Sequence, residues 1–407
     1  MSKSFSILGK NLKANTADDL QPYLSELEAM EDVEEVHFGA NSLGVEACEA
    51  IAKVLKNKKN LKIVDLADIF TGRLISEIPQ ALSALCNALS DSTSLVELDL
   101  SDNAFGGRCA DAMVPFLENN TNFSIFKLNN NGLGPIGGSI IAKALIKNGE
   151  KCKLENKKES NLQILVCGRN RLENGSSKDW KLAFENHLNL KEIKMPQNGI
   201  RMEGIKNLVE GLSNCKKLEL LDLQDNTATK KGTRAIVKSL KNWKNLKHLN
   251  LSDCLLGKTG GISLTTCLSN GSNPNLQILK LQYNEMDKKS IEILSIAITQ
   301  HLKDLKELEL NGNRFNEDDE CVEELKKALE IIGQEDALDE LDDMEEPESG
   351  DEEDESAEED EDEDEEEEKD EDAVDKGADG SNALPPVTEK QTDDLADMLA
   401  GAHIGAK

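Results

Sequence analysis

The sequence predicts an α/β solenoid, a curved stack of short strands and helices, followed by an acidic disordered tail. Two observations carry this prediction. An apolar pattern returns about every 28 residues through the first 330 residues, and the composition changes sharply after residue 334. Self-similarity at a fixed period of roughly 20–50 residues is the sequence signature of a repeat architecture.

Each copy of the pattern has apolar residues at offsets 0, 3 and 5, and most copies have asparagine at offset 8. Ten copies fit, and five of the nine intervals between them equal 28 residues; the copies begin at Val33, Leu61, Leu95, Phe123, Leu162, Leu190, Leu218, Leu246, Leu276 and Leu305. This is the leucine-rich repeat in its long form, whose second half is a helix. Because side chains alternate along a strand, offsets 3 and 5 point into the core. We therefore expect a ribonuclease-inhibitor-like crescent with a parallel sheet on its concave face and helices on its convex face.

The repeat pattern and the charge together divide the chain into four segments. Residues 1–32 keep a degenerate copy of the pattern and are predicted to form an N-terminal cap, and residues 33–334 form the repeat domain. Residues 335–372 contain 28 acidic residues and one lysine, and residues 373–407 form a C-terminal tail. Such an acidic region buries too little apolar surface to fold, so we expect it to be disordered. It should also repel nucleic acid and anionic membranes.

The remaining composition favours an intracellular binding protein. The nine cysteines are dispersed and form no metal-ligand pattern, which indicates reduced thiols. The N-terminus lacks a signal peptide, and no apolar run is long enough to span a membrane. The G-x-G-x-x-G match at residues 132–137 falls on the turn of a repeat, so its glycines are explained by the turn. No catalytic constellation stands out.

Offset 7, the residue that leaves each strand just before the turn, is the row of functional interest. The row reads Ala40, Asp68, Asp102, Asn130, Arg169, Gln197, Asp225, Asp253, Tyr283 and Gly312. Every member from Asp68 to Asp253 is polar. Two interpretations stay open: turn positions facing solvent are polar anyway, or the row is a binding rim for a protein with a basic surface.

Two copies are longer than the rest. The first contains DIFTGR at residues 68–73 and has Ile69 in the asparagine position. Its six extra residues are expected to enlarge the loop or the helix start on the same rim. The second has eleven extra residues, and a basic surface loop is expected at residues 147–160. An arginine on a loop beside a binding rim, such as Arg73, can meet a transition-state charge in trans.

Several stretches closely resemble the fungal Ran GTPase-activating proteins. They are DIFTGR (68–73), LSDNAFG (100–106), NNGLGP (130–135), CGRNRLENGS (167–176), QNGIR (197–201), LDLQDNT (221–227), LQYNE (281–285) and LELNGNRF (308–315), and the acidic tail fits as well. The resemblance implies a protein that binds Ran in its GTP state, together with a Ran-binding protein, and accelerates GTP hydrolysis. It implies a cytoplasmic location, with a perinuclear one left open, and no cofactor of its own, since GTP and Mg²⁺ belong to Ran. We expect a monomer that is not itself an enzyme and has no nucleic-acid or membrane partner.

The resemblance also assigns roles to individual residues. Arg73 matches an arginine that matters for activity in the family, and whether it acts on the chemistry or orders its loop is left open. Asn130 matches an asparagine that helps to place the catalytic machinery of Ran. The predicted partner contacts are Asp68, Asp102, Asn130, Arg169, Asp225, Asp253 and Tyr283. The alternative function is a non-catalytic scaffold or inhibitor of a basic protein.

Overall fold

The computed structural model describes residues 3–155 and 159–345. Within them, eleven strands form one parallel sheet in which each copy pairs with the next, and two further strands form a small parallel sheet. The small sheet contains β2 (Lys13–Ala14) and β4 (Ser42–Leu43). The main sheet contains β1 (Ser4–Ser6), β3 (Glu35–His37), β5 (Ile63–Asp65), β6 (Glu97–Asp99), β7 (Ile125–Lys127), β8 (Ile164–Val166), β9 (Glu192–Lys194), β10 (Leu220–Asp222), β11 (His248–Asn250), β12 (Ile278–Lys280) and β13 (Glu307–Glu309). The predicted leucine-rich-repeat fold is confirmed.

One helix accompanies each strand of the main sheet, and neighbouring helices pack against each other. The helices are α1 (Ala17–Ala29), α2 (Val45–Leu55), α3 (Ile78–Leu89), α4 (Ala110–Asn119), α5 (Gly134–Leu154), α6 (Ser177–Asn186), α7 (Met202–Leu212), α8 (Thr229–Leu240), α9 (Gly257–Ser269), α10 (Lys288–Gln300) and α11 (Glu320–Ile331). The core lies between the helices and the main sheet. Each strand buries its central residue, such as Leu221, and α8 buries Ile236, Ser239 and Leu240. No copy could bury these faces without its neighbours.

The offset-8 asparagines link neighbouring copies. The Asn103 amide group donates to Leu66 O at 2.9 Å and Leu100 O at 3.0 Å, while its Oδ1 accepts from Ile69 N at 2.8 Å. Most other copies repeat this arrangement, so polar backbone groups inside the turns are satisfied. At Cys254, which replaces an asparagine, the thiol donates to Leu223 O at 3.3 Å instead.

Both ends of the stack are covered. At the N-terminal end β1 pairs with β3, and Thr16 and Asp19 form a capping box at α1. At the C-terminal end the chain after α11 returns to the sheet: Leu308 N donates to Ala337 O at 2.7 Å, and Asp339 N donates to Leu308 O at 3.0 Å.

The ordered domain therefore extends beyond the predicted boundary at residue 334. Residues 335–345 were expected to be disordered, but they pair with the edge strand β13 and bury Ala337 and Leu341. An unpaired edge strand exposes backbone donors and acceptors, which this segment satisfies. The rest of the acidic region, residues 346–372, and the tail at 373–407 lie outside the described residues.

The expected basic loop at residues 147–160 is also corrected. Helix α5 continues to Leu154, so residues 147–154 form its last two turns. Asn148 is buried and donates to Leu117 O at 2.7 Å and Asn120 O at 2.8 Å. The extra residues therefore extend the helix over the preceding copy.

Candidate functional site at the turn edge

The ten offset-7 residues share one backbone conformation. Each has a positive φ, between 50° at Asp68 and 73° at Gly312. In every copy but the last, the amide N–H donates to the carbonyl just before the matching residue of the next copy, as from Asn130 to Gly168 at 2.9 Å and from Asp225 to Ser252 at 2.9 Å. The sheet ladder thus continues into the turns, and it spaces these side chains by about 4.8 Å. We call this row the turn edge.

The left-handed conformation explains part of the polarity that the sequence shows. Asn, Asp and Gly tolerate positive φ because their side chains are short and polar or absent, so six members of the turn edge follow from the backbone. Other residue types lose roughly 1 kcal/mol or more there. Arg169, Gln197 and Tyr283 have positive φ of 53°, 54° and 52°, so these side chains need another explanation.

Tyr283 is explained by contacts within the chain. Its ring packs on Gly312, where an added Cβ would clash with it. Its hydroxyl donates to Asp343 Oδ2 at 3.0 Å, and this carboxylate raises the pKa of Tyr283. The predicted contact residue therefore lies on the turn edge but is held by the C-terminal segment, with 45% of its surface exposed.

Arg73 lies on the DIFTGR loop, and its guanidinium turns back into the protein. Nη1 donates to Asn15 Oδ1 at 2.6 Å, and Nη2 donates to Ala14 O at 2.9 Å and also to Ser42 O. Nε is buried with no acceptor in the described part of the chain. The side chain thus joins the N-terminal cap, the copy that begins at Val33 and its own loop.

Asp68 and Asn130 are held by neighbours on the same edge. Asp68 Oδ1 accepts from the Thr71 hydroxyl, which stabilises the start of the DIFTGR loop. Asn130 Nδ2 donates to Asp102 Oδ1 at 2.9 Å. Its amide oxygen accepts no hydrogen bond from residues 3–155 and 159–345, so it remains available at the surface.

Arg169 differs from Arg73 in its contacts. The side chain is exposed, and no hydrogen bond or ion pair to it is found within the described ranges. Arg171 and Glu173 also have positive φ, of 54° and 49°. Three left-handed residues other than glycine within five positions make this turn strained, and such strain is concentrated at functional sites.

Two carboxylates follow farther along the edge. Asp225 and Asp253 are neighbours in the row, and burial together with the Asp225 charge raises the pKa of Asp253. A shallow depression between them is lined also by Gln197, Thr227 and Leu255. A depression with two carboxylates and an exposed leucine suits a basic side chain with an apolar stem.

Comparisons with known proteins show the family to which the chain belongs. The Leucine Rich repeat family matches residues 91–113 and 244–264. Ran GTPase-activating protein 1 of Saccharomyces cerevisiae is 39% identical over 331 residues, which cover 79% of this chain and 81% of the relative. This chain belongs to the Ran GTPase-activating protein family. The Drosophila melanogaster Ran GTPase-activating protein is 43% identical over 333 residues, covering 80% of this chain and 55% of that protein. Ran GTPase-activating protein 1 of Xenopus laevis is 43% identical over 198 residues, which cover 48% of this chain and 34% of that protein.

The structure of this family member adds contacts that the sequence could not supply. Asn15 binds Arg73 from 58 positions away, and Asp343 binds Tyr283 from 60 positions away, and no periodic pattern links either pair. Among the described residues, no helix is long and apolar enough to cross a membrane, and no group of three or more His, Cys, Asp or Glu side chains is placed to hold a metal ion.

Proposed function

We propose that this chain is a GTPase-activating protein for Ran that binds Ran·GTP along the turn edge and stimulates GTP hydrolysis in trans. The proposal rests on the side chains that the turn edge presents in a chain of this family. One regular row presents a held asparagine, an exposed arginine with no partner among the residues that the structure describes, and two neighbouring carboxylates. In the cytoplasm this activity keeps Ran in its GDP form, and a Ran-binding protein accompanies the complex.

The chain contributes positioning and brings no cofactor. GTP and Mg²⁺ enter with Ran, and this protein hydrolyses nothing by itself. Asp102 holds the amide nitrogen of Asn130, and the amide oxygen, which accepts no hydrogen bond within the described residues, accepts an N–H from the water-orienting glutamine of the GTPase. A fixed acceptor stabilises the productive position of that glutamine without reorganising during the reaction.

Arg73 acts by ordering its loop in this proposal. Its three hydrogen bonds to residues 14, 15 and 42 use the donors that an inserted arginine would direct at the phosphates. Arg169, Asp225 and Asp253 contact the GTPase and set the affinity. Asp68 acts through Thr71 by shaping the loop that follows.

The test is single-turnover GTP hydrolysis by Ran with catalytic amounts of the wild type, Asn130→Ala or Asn245→Ala. Asn245 is the matched control, since it lies at the other edge of the sheet and also donates one hydrogen bond to the preceding copy, to Lys216 O at 2.8 Å. We expect strong acceleration by the wild type and by Asn245→Ala, and a loss of roughly 10–100-fold in Asn130→Ala. Tight binding of Ran·GTP without acceleration by the wild type would instead support a non-catalytic scaffold.

A further inference from the structure

Three arginines lie on two neighbouring turns of the repeat stack. Arg169 and Arg171 belong to one turn, and Arg201 belongs to the turn of the next copy. The two turns lie side by side, because Glu173 N donates to Asn198 O at 3.0 Å. All three arginine side chains are exposed. We call them the arginine cluster.

The chain does not hold these guanidinium groups. Within residues 3–155 and 159–345, no hydrogen bond or ion pair is found for any side chain of the arginine cluster, or for the exposed Glu173 beside it. Arg314 occupies the same turn position as Arg171 in another copy, and it pairs with Glu285 at 3.3 Å and with Glu345 at 3.4 Å. The fold can therefore neutralise an arginine at this position, but it leaves Arg171 exposed.

The backbone of the first turn does not favour arginine either. Arg171 has a positive φ of 54°, and the matching residues of the flanking copies are Gly132 and Gly199, with φ of 63° and 65°. Arg169, with φ of 53°, is in the same conformation. A side chain with a Cβ loses stability in the left-handed region, whereas glycine does not. Both arginines thus occupy positions where glycine or asparagine would suit the fold better.

Arg201 is equally unfavourable at its own position. It is the N-cap residue of α7, and its side chain makes no capping hydrogen bond. The matching residue of another copy, Asp287, caps α10 by accepting from Ser290 N at 3.1 Å. An N-cap favours a side-chain oxygen, and the positive end of the helix dipole disfavours a cation. Residues that reduce stability in this way are typical of surfaces retained for function.

The surroundings of the arginine cluster indicate the chemistry of its ligand. Guanidinium groups bind carboxylates through two parallel hydrogen bonds. A nucleic acid would also meet the carboxylates of Glu173 and Asp225 nearby, which repel a polyanion. A protein surface can instead place acidic groups on the arginines and basic groups on these carboxylates. The cluster therefore suits a protein with an acidic patch.

We propose that Arg171 and Arg201, together with Arg169, bind carboxylates on the surface of the GTPase. This inference rests on the function proposed above, and it adds two contact residues and the chemistry of the surface that they meet. Along the turn edge the charge changes sign twice, from Asp102 to the arginines and again to Asp225. A partner displaced along the edge would bring like charges together, so the cluster also makes the docking position specific.

The experiment compares two double variants of the full-length protein. Arg171→Asn/Arg201→Asp removes two arginines and introduces residue types that suit the two backbone positions. The control, Lys216→Asp/Lys241→Asn, changes the net charge by the same amount. Its two lysines are exposed, lie just before β10 and β11 at the opposite edge of the sheet, and form no ion pair in the part of the chain that the structure describes.

Three properties are measured for each protein. They are the Kd for Ran bound to a non-hydrolysable GTP analogue, the urea midpoint of unfolding, and the labelling of Ran carboxylates by a carbodiimide and an amine at saturating concentrations. We expect the arginine variant to bind Ran about 10–100-fold more weakly and the lysine variant to bind within about threefold of the wild type. The arginine variant should unfold at the same or a higher urea concentration, which excludes misfolding as the cause.

The labelling identifies the groups that the cluster meets. Carboxylates of Ran that the wild type and the lysine variant protect should become reactive in the complex with the arginine variant. Equal affinities of the two double variants, unchanged labelling, or a lower urea midpoint of the arginine variant would overturn the inference. Failure of the wild type itself to bind Ran and accelerate hydrolysis would refute the proposed function, which the other outcomes leave intact.

Discussion

Two arginine-bearing turns of the same edge are built in opposite ways. The loop at residues 68–73 breaks the repeat length, and its Arg73 donates hydrogen bonds to three residues of the chain. The turn at residues 169–173 keeps the repeat length, and the exposed Arg169 has no hydrogen bond or ion pair within the described residues. An arginine beside the turn edge can therefore be held by the scaffold or be left exposed at the surface.

The difference shows what the irregular copy does for the fold. Ile69 replaces the usual asparagine, yet its own N–H donates to Asn103 Oδ1 at 2.8 Å. Phe70 is buried and packs against Phe105 at 6.1 Å between ring centroids. The DIFTGR loop thus packs against the neighbouring copy through Phe70, and Arg73 connects the loop to the N-terminal cap by hydrogen bonds. At Arg169 the left-handed backbone costs stability, and no hydrogen bond of the side chain within the described residues offsets that cost.

The largest effect is expected from Arg73→Ala. Removing three hydrogen bonds from a half-buried guanidinium should destabilise the loop by about 2 kcal/mol. Because the loop shapes the edge, acceleration of GTP hydrolysis by Ran should fall by roughly 100-fold. Hydrogen exchange at residues 12–15 and 42–44 should accelerate in parallel.

The conservative variant Arg73→Lys is the control, because a lysine keeps the charge but cannot span three acceptors with a planar fork. It should lose most of the activity as well. Activity lost in Arg73→Ala with unchanged exchange at residues 12–15 would show that the arginine acts on the chemistry instead.

His187, which supports the copy bearing Arg169, makes stability depend on pH. It is buried, its Nε2 lies 2.8 Å from Leu145 O and its Nδ1 lies 2.5 Å from Ser160 Oγ. Burial lowers its pKa from 6.5 to about 4, so the unfolded chain binds the proton more tightly. Above pH 6.5 His187 is neutral in both states and does not change the free energy of unfolding. As the pH falls from 6.5 to about 4, that free energy decreases by roughly 3 kcal/mol.

Urea unfolding of the wild type and His187→Gln at several pH values measures this effect. A glutamine amide can donate to Leu145 O and accept from Ser160, but it does not titrate. The stability difference between the two proteins should therefore change across this pH range. Parallel pH profiles would exclude His187 as the titrating group.

Arg169→Asn should separate the two uses of arginine. Asparagine tolerates the left-handed backbone better, so the variant should gain roughly 1 kcal/mol of stability. Its affinity for Ran·GTP should fall about tenfold, since an exposed charge that meets the partner is removed. The control is Gln197→Asn, which relieves the same backbone strain without removing a charge. Equal affinities in both variants would assign Arg169 to the scaffold.

The smallest effect is expected at Asp253, which extends the comparison to a third turn. Asp253→Asn removes repulsion from Asp225, so stability should rise by a few tenths of a kcal/mol because solvent screens these carboxylates. The gain should shrink at high salt and as the pH falls through the raised pKa of Asp253, where the wild type is also neutral. Urea midpoints measure it, and a loss of stability would refute the repulsion.

The fold was predictable because burial repeats along the sequence. Leu98, Leu221 and their equivalents recur at fixed offsets, and each is buried in the structure. The turn edge was predictable for the same reason. The backbone conformation of the turn edge was harder to predict. An aspartate at offset 7 is explained by exposure to solvent alone, and its preference for a left-handed backbone is recognised only once the positive φ is known.

The contacts between distant segments could not be predicted. The hydrogen bonds from Arg73 to Asn15 and from Tyr283 to Asp343 form only when the whole stack has folded. The composition also placed the end of the folded domain too early, at residue 334. Ala337 and Leu341 are two apolar anchors within an acidic run, and the open edge of β13 gives them a place to pack.

The most direct test of the account is hydrogen–deuterium exchange of this protein with and without Ran bound to a non-hydrolysable GTP analogue. We predict protection along the turn edge, at residues 101–105, 129–133, 168–173 and 225–228, with little change on the helices. Protection confined to the helix side, with the turn edge unchanged, would contradict the claim that this row of turns meets the GTPase.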